Sequence, residues 1–371
     1  MAIEAAQPLT DMPFVNFYKE FVKSEGIPVY TGFAIEDLKS LELGQWARKG
    51  GRGAYINLDG TGGTNDAFVT EIPAGGALNV ERHMFEELVY VLDGRGSTST
   101  WYSEDKKISF EWSAGSVFSI PLNAYFQHFN GEGSQPARLF SVSSGPLIIS
   151  LFHNLKFVFD NPFVFDDRFS GQGDFFSATG KRYNDCVLET NFVPDTHNME
   201  LYPNPGRGRD NLGVMFEIAD NTMCAHISEF PVGTYKKAHR HGPGAHVIIL
   251  SGQGYSQLWP VGGEKKYVPW GPGSVLVPPD GWFHQHFNGG ATRARYLALR
   301  WGSRKYNTGG ALTPDAHLTD VDVNQGGLQI EYDGEDPSVH QLFESHLAKA
   351  GATCRMRRTS KGCTGPESAA A

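Results

Sequence analysis

Cysteine is scarce in this chain, and long hydrophobic runs are missing. The 371 residues include four cysteines, and no two of them form a Cys-x-x-Cys pair. This pattern predicts reduced thiols in a cytoplasmic protein and argues against a disulfide framework. No apolar run reaches the roughly 18 residues of a membrane span, and the first residues lack the basic and then apolar order of a secretory signal. We therefore expect no membrane partner.

An excess of positive charge is also missing. Lysine and arginine number 32 against 41 aspartates and glutamates, which gives a net charge of −9. Surfaces that bind nucleic acid are usually basic, so we expect no nucleic-acid partner and instead a small-molecule substrate. Hydrophobic residues make up 40% of the chain, and its length is enough for two domains with cores of ordinary size.

Helical patterns are few, whereas glycine and proline are abundant. The 44 glycines and 21 prolines separate many short runs of β-branched and aromatic residues, which favours a β-rich fold. Predicted helices are restricted to residues 13–25, 36–43 and 338–350. The polar, basic tail from about Ala352 is expected to be disordered.

An internal repeat organises the chain. Adding 158 to a residue number in the first half gives an equivalent residue in the second half, as for Arg82-His83 and Arg240-His241. The same offset holds without a gap for further sets: Trp101, Trp112 and Pro121 match Trp259, Trp270 and Pro279, and His128-Phe129-Asn130-Gly131 matches His286-Phe287-Asn288-Gly289. Such identity at one offset indicates two copies of one structural unit.

Each copy has short strands separated by glycine turns, which indicates an antiparallel barrel or jelly roll. The predicted fold is therefore all-β, with two tandem β-barrels and a few flanking helices. The predicted order is an N-terminal arm (1–60), a first barrel (61–150), a Phe-rich connector (151–215), a second barrel (216–305) and a C-terminal extension (306–371). We expect the connector to pack across the copies or to form a subunit interface in a homo-oligomer.

Histidines in the second copy follow a metal-binding pattern. Gly233 is followed by five residues and then His239-Arg240-His241, and Gly273 by five residues, Pro279-Asp280-Gly281, two residues, His284, three residues and Asn288. These segments resemble the two motifs of the cupin superfamily, and the resemblance covers about residues 65–145 and 223–303. It implies a two-barrel (bicupin) jelly-roll protein with a metal on His239, His241 and His284.

Strand geometry supports this ligand set. Side chains at i and i+2 of a strand point to the same face, so His239 and His241 both enter the barrel. Three neutral imidazoles suit Fe(II), Zn(II), Ni(II) or Cu(II), and three ligands on one face leave positions for substrate and for O₂ or water. We expect one divalent metal per chain, Fe(II) by preference, with Mn(II) as a further alternative.

The glutamate of the first cupin motif is missing from the second copy. Its usual place, four residues after the second histidine, holds Ala245, and His246 follows. A regular strand from His241 turns Ala245 toward the metal and His246 outward. One extra residue in the intervening glycine-proline turn instead makes His246 a fourth ligand or a catalytic group. The equal spacing from histidine to glycine turn in the two copies favours the regular strand.

A three-histidine site without the glutamate is similar to that of the ring-cleaving cupin dioxygenases. The stretch from His239 to Ala245 resembles the gentisate dioxygenase segment His-Arg-His-Thr-x-x-Ala. It departs at Gly242, which replaces the threonine, and at Val247, which stands near where an arginine is expected. That family also holds its metal in the first barrel. The resemblance implies a dioxygenase that cleaves a C–C bond of a hydroxylated aromatic acid or a diketone, and the departures argue against gentisate itself.

The first copy lacks the complete ligand set. Its three ligand positions hold Glu81, His83 and Phe126, while the glutamate position is kept as Glu87. A polar cluster satisfied within the barrel and a weak metal site both fit these residues, and the polar cluster is the preferred interpretation.

Two further residues are candidate catalytic groups. His286 lies two positions after His284 and shares its face, so it fits either a proton donor or a structural role. Arg300 follows the second motif, and its guanidinium fits a substrate carboxylate or phenolate, with a surface arginine as the alternative. Besides the dioxygenase, a Mn- or Zn-dependent decarboxylase, isomerase or hydrolase and a non-catalytic binding protein stay open.

Overall fold

The computed structural model describes residues 14–61, 63–183, 186–306, 316–356 and 363. The described residues form four α-helices, which are α1 (Phe17–Ser24), α2 (Gly145–Phe152), α3 (Leu155–Phe159) and α4 (Pro337–Ala350). Strands of the N-terminal half are β1 (Val29–Gly32), β2 (Ala34–Ile35), β3 (Gly44–Trp46), β4 (Gly51–Leu58), β5 (Asp66–Ile72), β6 (Glu87–Asp93), β7 (Arg95–Trp101), β8 (Ile108–Ser113), β9 (Val117–Ile120), β10 (Tyr125–Asn130) and β11 (Ala137–Ser143).

The remaining strands belong to the connector, the second barrel and the C-terminal extension. Connector strands are β12 (Gly180–Tyr183), β13 (Val187–Thr190), β14 (Phe192–Val193) and β15 (Tyr202–Pro203). Strands of the C-terminal half are β16 (Leu212–Ile218), β17 (Met223–Phe230), β18 (Ala238–Arg240), β19 (His246–Ser251), β20 (Gly254–Trp259), β21 (Lys266–Trp270), β22 (Val275–Leu276), β23 (Phe283–Phe287), β24 (Ala294–Trp301) and β25 (Gln329–Ile330).

The first barrel is built from two β-sheets. Its large sheet has the order β1-β4-β5-β11-β6-β9-β14, with β3 beside β4, and its small sheet has the order β10-β7-β8. All of these strands pair antiparallel except β1, which is parallel to β4. Side chains such as Val89 of β6, Phe118 of β9 and Phe126 of β10 are almost fully buried and form its core.

The second barrel repeats this arrangement. Its large sheet has the order β12-β13-β16-β17-β24-β19-β22-β2, with β15 beside β16, and its small sheet has the order β21-β20-β23-β18-β25. The strands β5, β6, β7, β8, β10 and β11 correspond to β17, β19, β20, β21, β23 and β24, displaced by the offset of the sequence repeat. The predicted fold class, all-β with two tandem jelly-roll barrels and a few flanking helices, is confirmed.

Each barrel takes a strand from outside its own repeat. β2 of the N-terminal arm pairs with β22 of the second barrel, and β14 of the connector pairs with β9 of the first. β4, which the sequence prediction assigned to the arm, pairs with β5 and so belongs to the sheet of the first barrel. The exchanged strands join the two barrels through backbone hydrogen bonds.

The Phe-rich connector divides into buried and exposed rings. Phe169 and Phe176 are buried, and Phe176 stacks on Phe110 of β8 with 3.7 Å between ring centroids. Phe152 and Phe163 remain exposed. The buried ring of Phe176 thus packs against the first barrel. Packing of the connector across the two copies and a subunit interface in a homo-oligomer stay predictions.

Helix ends follow local signals where those signals are strong. Asp336 caps α4 by accepting a hydrogen bond from the Ser338 N–H at 2.8 Å, and Gly351 ends it in the left-handed conformation. The predicted helix at 36–43 is absent, because the Leu38 N–H of this segment instead donates a hydrogen bond to the Gly273 carbonyl at 2.9 Å.

Among the described residues, every helix is too short or too polar to cross a membrane.

The segment after α4 packs more closely than its composition predicts. Cys354, Met356 and Cys363 are buried beside Phe343 of α4, and Cys354 is bonded to Cys363. The expected disorder is therefore wrong for these residues, because their apolar side chains find a partner surface on the helix. The expectation of free thiols is not met by this pair. Residues 357–362 and 364–371 of the predicted tail lie outside the described part.

A buried carboxylate bridges the two barrels. Glu86 accepts hydrogen bonds from the Thr222 and Met223 N–H groups, both at 2.8 Å, and pairs with Arg168 at 3.2 Å. Glu86→Ala leaves two backbone donors and a guanidinium without their acceptor in a buried place. We therefore expect a loss of roughly 3 kcal/mol in the free energy of unfolding, measured by denaturant titration.

Two substitutions control this prediction. Glu86→Gln keeps an acceptor oxygen and is expected to lose less stability. Glu104→Ala removes a glutamate whose side chain is 73% exposed, and we expect almost no change. Equal losses in the two alanine variants would contradict the bridging role of Glu86.

Candidate metal centre

Two antiparallel strands of the small sheet bring the three histidines together. His239 of β18 stands directly opposite His284 of β23, and His241 follows β18. The ring centroids are 4.3 Å apart for His239 and His284, 4.9 Å for His241 and His284, and 5.5 Å for His239 and His241. One nitrogen of each ring lies within 4.8 Å of those of the other two. The structure thus gathers the three predicted ligands at one point.

Backbone carbonyls orient two of the three rings. The Nδ1 of His239 lies 3.2 Å from the Lys237 carbonyl oxygen, and the Nδ1 of His284 lies 3.3 Å from that of Trp282. Because a carbonyl only accepts, Nδ1 carries the proton in both rings and Nε2 keeps a lone pair. The Nδ1 of His241 is buried and has no hydrogen-bond partner among the described residues.

Burial keeps these imidazoles neutral. Burial is the main cause that lowers the pKa of His239 and His241 well below its ordinary value, and the charge on nearby histidines adds to it. Burial also lowers the pKa of His284 to about 3. At neutral pH each ring is therefore a base with a lone pair rather than a cation.

The donor set fits a divalent transition metal. Three neutral nitrogen donors suit Fe(II), Zn(II), Ni(II) and Cu(II). The buried, unpartnered Nδ1 of His241 is a cost to folding that metal coordination through this nitrogen would offset. The residues that would hold the ion are His239, His241 and His284.

Ala245, and not His246, faces the three histidines. Ala245 lines the cavity beside them. His246 is fully buried in β19 on the side of the first barrel, where its Nδ1 lies 3.3 Å from Asn65 Nδ2. Alternation along a regular strand explains both placements. The alternative in which His246 is a fourth ligand or a catalytic group is corrected accordingly, because its ring lies at the contact between the barrels.

The three histidines open onto a cationic cavity of about 190 Å³. Four cationic side chains line it, namely Arg207, Lys236, Arg300 and Arg304, and the one carboxylate among its described lining residues is Asp320. Asp320 pairs with Arg207 at 3.2 Å. The cavity is therefore positive although the whole chain carries a net charge of −9, and it favours an anionic ligand.

Two of these cations are buried without an acidic partner among the described residues. Arg300 of β24 is 9% exposed, and its Nε has no hydrogen-bond partner. The Lys236 ammonium donates to Ser228 Oγ at 2.8 Å and to the Tyr296 hydroxyl at 2.6 Å. Burial lowers the pKa of Lys236, and the neighbouring Tyr296 opposes this shift. Because a buried cation without a counter-ion is costly, the arrangement suits a bound anion.

His286 makes a hydrogen bond that its counterpart in the first barrel shares. The Nδ1 of His286 lies 2.7 Å from Ser256 Oγ, which accepts a further hydrogen bond from Trp270 Nε1 at 3.0 Å. The equivalent histidine, threonine and tryptophan of the first barrel form the same chain at 2.7 and 2.9 Å. This sharing supports a structural role, although His286 also lines the cavity; a role in proton transfer stays a prediction.

The first barrel has ion pairs in place of the three histidines. Glu81 pairs with Lys49, and His83 Nε2 lies 3.0 Å from Glu87 Oε2. Burial alone would raise the pKa of Glu87, but the His83 hydrogen bond and the Lys49 charge hold it at about 2. Phe126 packs edge-on against His83 with 5.4 Å between centroids. These contacts support the polar cluster rather than a metal site.

Sequence reasoning missed several cavity residues, among them Arg207, His226, Lys236, Arg304 and Asp320. Lys236 and His226 line the cavity, and at the repeat offset they replace the apolar Leu78 and Phe68 of the first copy. Polar residues of the second copy that replace apolar residues of the first copy are therefore the sequence signal that could have identified Lys236 and His226. Arg207 lies in the connector, outside the repeat, and no sequence pattern placed it here.

Comparisons with known proteins give no match by sequence and distant likenesses by structure. No protein-family model matches the chain, and no curated protein matches it. A variant of oxalate decarboxylase from Bacillus subtilis is similar with a TM-score of 0.49 at 12% identity, over 80% of this chain and 83% of that chain. Vicilin from Corylus avellana (hazelnut) is similar with a TM-score of 0.48 at 10% identity, over 72% of this chain and 86% of that chain. Because the TM-scores and the sequence identities are this low, function is inferred from the residues of the site itself.

Proposed function

We propose that the second barrel holds the active site of a metal-dependent enzyme that acts on a small organic anion. The observation that carries this proposal is the convergence of three neutral histidines on a cavity lined by four cations and one paired carboxylate. His239, His241 and His284 would hold one divalent metal, for which we propose Fe(II). When bound, the metal supplies Lewis-acid and one-electron chemistry to the substrate.

A doubly charged, chelating substrate suits this site. Neutral ligands leave the positive charge of a divalent ion uncompensated, and the buried Arg300 adds to it. A hydroxylated aromatic acid or an enolised diketo acid has adjacent oxygens for a metal and a carboxylate for a guanidinium. Arg300 is suited to such a carboxylate because its planar group donates two parallel N–H bonds.

We propose that the reaction is oxygen-dependent cleavage of a C–C bond, in which O₂ is the oxidant and both of its atoms enter the products. The only carboxylate among the described lining residues, Asp320, is paired with Arg207, so no carboxylate there is free to exchange protons. This favours a reaction in which the protein groups bind and orient the substrate. Val214, Ile227 and Val247 form an apolar part of the cavity wall and help to exclude water.

A second candidate, oxygen-independent decarboxylation or isomerisation, is favoured by Lys236 and Tyr296. The ammonium and the hydroxyl are 2.6 Å apart at the cavity wall, and burial lowers the pKa of Lys236. The ammonium is therefore suited to deliver a proton to a carbanion or an enolate. This candidate requires turnover without O₂.

The experiment that separates the candidates measures substrate consumption with and without O₂. Protein loaded anaerobically with Fe(II) is mixed with hydroxybenzoates, catechols, diketones and small dicarboxylates, oxalate included. We expect a chelate absorbance under strict anaerobiosis and, after O₂ is admitted, equimolar uptake of O₂ and substrate. Turnover before O₂ is admitted would select the second candidate, and failure of every anion to bind would contradict both.

A further inference from the structure

A second group of metal-ligating side chains lies at the C-terminal helix, away from the three histidines. The α4 helix buries Phe343 and Leu347 in a cluster with Tyr235 and Phe287 of the second barrel. The same cluster includes Cys354 and Cys363 from the segment that follows the helix.

This segment approaches the barrel very closely at one point. Arg355 N donates to the Gly233 carbonyl at 2.8 Å. Gly233 has a φ of +74°, and a Cβ added to it would lie 2.1 Å from the Thr353 carbonyl oxygen. Only glycine accommodates both the conformation and the contact. Gly233 of the barrel therefore allows the segment after α4 to pack at this point.

Four side chains of this region direct ligand atoms toward one another. His340 and Glu344 are one helical turn apart on α4, and Cys354 and Cys363 follow it. One ligand atom of each residue lies within 4.8 Å of those of the other three. His340 and both cysteines are buried. The cluster therefore combines two sulfurs, an imidazole and a carboxylate in a largely desolvated place.

A tyrosine orients the imidazole of this cluster. The Tyr235 hydroxyl donates to Glu335 Oε2 at 2.9 Å and lies 3.3 Å from His340 Nδ1. When Nδ1 of His340 carries the proton, this hydroxyl can accept from it, and Nε2 is then the nitrogen that offers a lone pair to a metal. That nitrogen lies 3.3 Å from Glu344 Oε1 and 3.8 Å from Cys354 Sγ. A proton on Nε2 satisfies this pair in the metal-free protein, and a metal ion can take the place of that proton.

We propose that His340, Glu344, Cys354 and Cys363 bind one structural zinc ion when both cysteines are reduced. Thiolate sulfur, imidazole nitrogen and carboxylate oxygen are the ligands of closed tetrahedral zinc sites. Two thiols release their protons to solvent as Zn²⁺ binds, and no electrons are transferred. The bonded pair Cys354–Cys363 of the structure is the oxidised form of the same ligands.

The zinc site stabilises the extension that flanks a predicted metal ligand of the second barrel. In this extension β25 pairs with β18, where Gln329 stands opposite His239. Glu335 accepts a hydrogen bond from Gln285, which precedes His286 in β23. Anchoring the end of the extension limits fraying of the chain beside His239. The inference does not depend on the reaction proposed for the second barrel.

Cobalt(II) distinguishes this site from the three-histidine site, because thiolate ligation produces an intense charge-transfer band in the near ultraviolet and imidazole ligation does not. Reduced, metal-free full-length protein is titrated with Co(II) beside the variants Cys354→Ser/Cys363→Ser, His239→Ala/His241→Ala and Cys186→Ser. We expect the band to saturate at about one equivalent of cobalt in the histidine variant. The wild type and Cys186→Ser are expected to reach the same amplitude, but only after up to about one further equivalent has been taken up by the three histidines. The band is expected to be lost in the double-cysteine variant and to be displaced by zinc.

Three results would overturn the proposal. The first is no band in wild-type protein whose thiols react with a thiol reagent, and the second is a band that survives in the double-cysteine variant. The third is a pair that stays bonded under reductant, seen as an intact mass two hydrogens lower. Should the double-cysteine variant not fold, His340→Gln and Glu344→Gln keep both thiols and are expected to weaken cobalt binding at least roughly tenfold. Unchanged affinity in both of these variants would be a fourth result that overturns the proposal.

Discussion

Alanine in place of His241 is expected to remove the metal from the second barrel. Two imidazoles without the third bind a divalent ion roughly a hundredfold more weakly or worse. After anaerobic loading with Fe(II) and gel filtration, iron measured by elemental analysis should fall from about one atom per chain to background, and turnover with it. Because the buried Nδ1 of His241 has no partner among the described residues, we expect little loss of folding stability.

The first copy supplies the matched control. His83 stands 158 residues before His241, but it is hydrogen-bonded to Glu87 at 3.0 Å. His83→Ala is expected to leave the iron content unchanged and to lower stability, because it leaves a buried carboxylate without its partner. Equal loss of iron in both variants, or no loss in His241→Ala, would place the metal elsewhere.

Leucine in place of Arg300 is expected to weaken substrate binding while keeping or raising thermal stability. The guanidinium is buried without an acidic partner among the described residues, so an apolar side chain relieves a desolvation cost in the free protein. In this variant a substrate carboxylate loses its charged hydrogen bonds to the guanidinium. We therefore expect a dissociation constant roughly ten- to hundredfold higher. Anaerobic titration of the chelate absorbance measures the affinity, and thermal denaturation measures the Tm.

Arg295, on the same strand, is the control for this prediction. It pairs with Glu229 at 2.7 Å and donates to the Thr196 carbonyl at 3.0 Å. Arg295→Leu is therefore expected to lower the Tm and to leave substrate affinity unchanged. The opposite pattern, with affinity lost in Arg295→Leu and stability lost in Arg300→Leu, would show that the anion binds elsewhere and that Arg300 is structural.

The architecture was predictable because its signals are local or repeated. Glycine turns delimit each strand, and the constant offset of 158 residues required two copies of one unit. The helix at 338–350 was bounded by Gly351, whose left-handed conformation ends α4 in the structure. The exchange of β2 and β14 between the barrels was not predictable, since two-residue strands carry no periodicity and their partners are distant in sequence.

The candidate site was predictable only in part. Alternation along strands placed His239 and His241 on one face, and the structure brings His284 to the same point. Alternation also left His246 open, because one residue more or less in a turn reverses every following side chain. The structure turned His246 toward Asn65 of the other barrel.

The sequence by itself determined the two-copy β fold and the shared face of His239 and His241, because both depend on spacing along one repeated unit. The resemblance to the cupin motifs added His284, and the structure brings that ring to the same point. Tertiary structure alone decided the charge of the cavity, since Arg207 comes from the connector and Asp320 from the C-terminal extension. It also decided the cluster at His340 and Cys363, whose members lie on a helix and on the segment beyond it. Side chains from separate segments share a site only after the chain has packed. No local sequence pattern indicates which distant segments will come into contact.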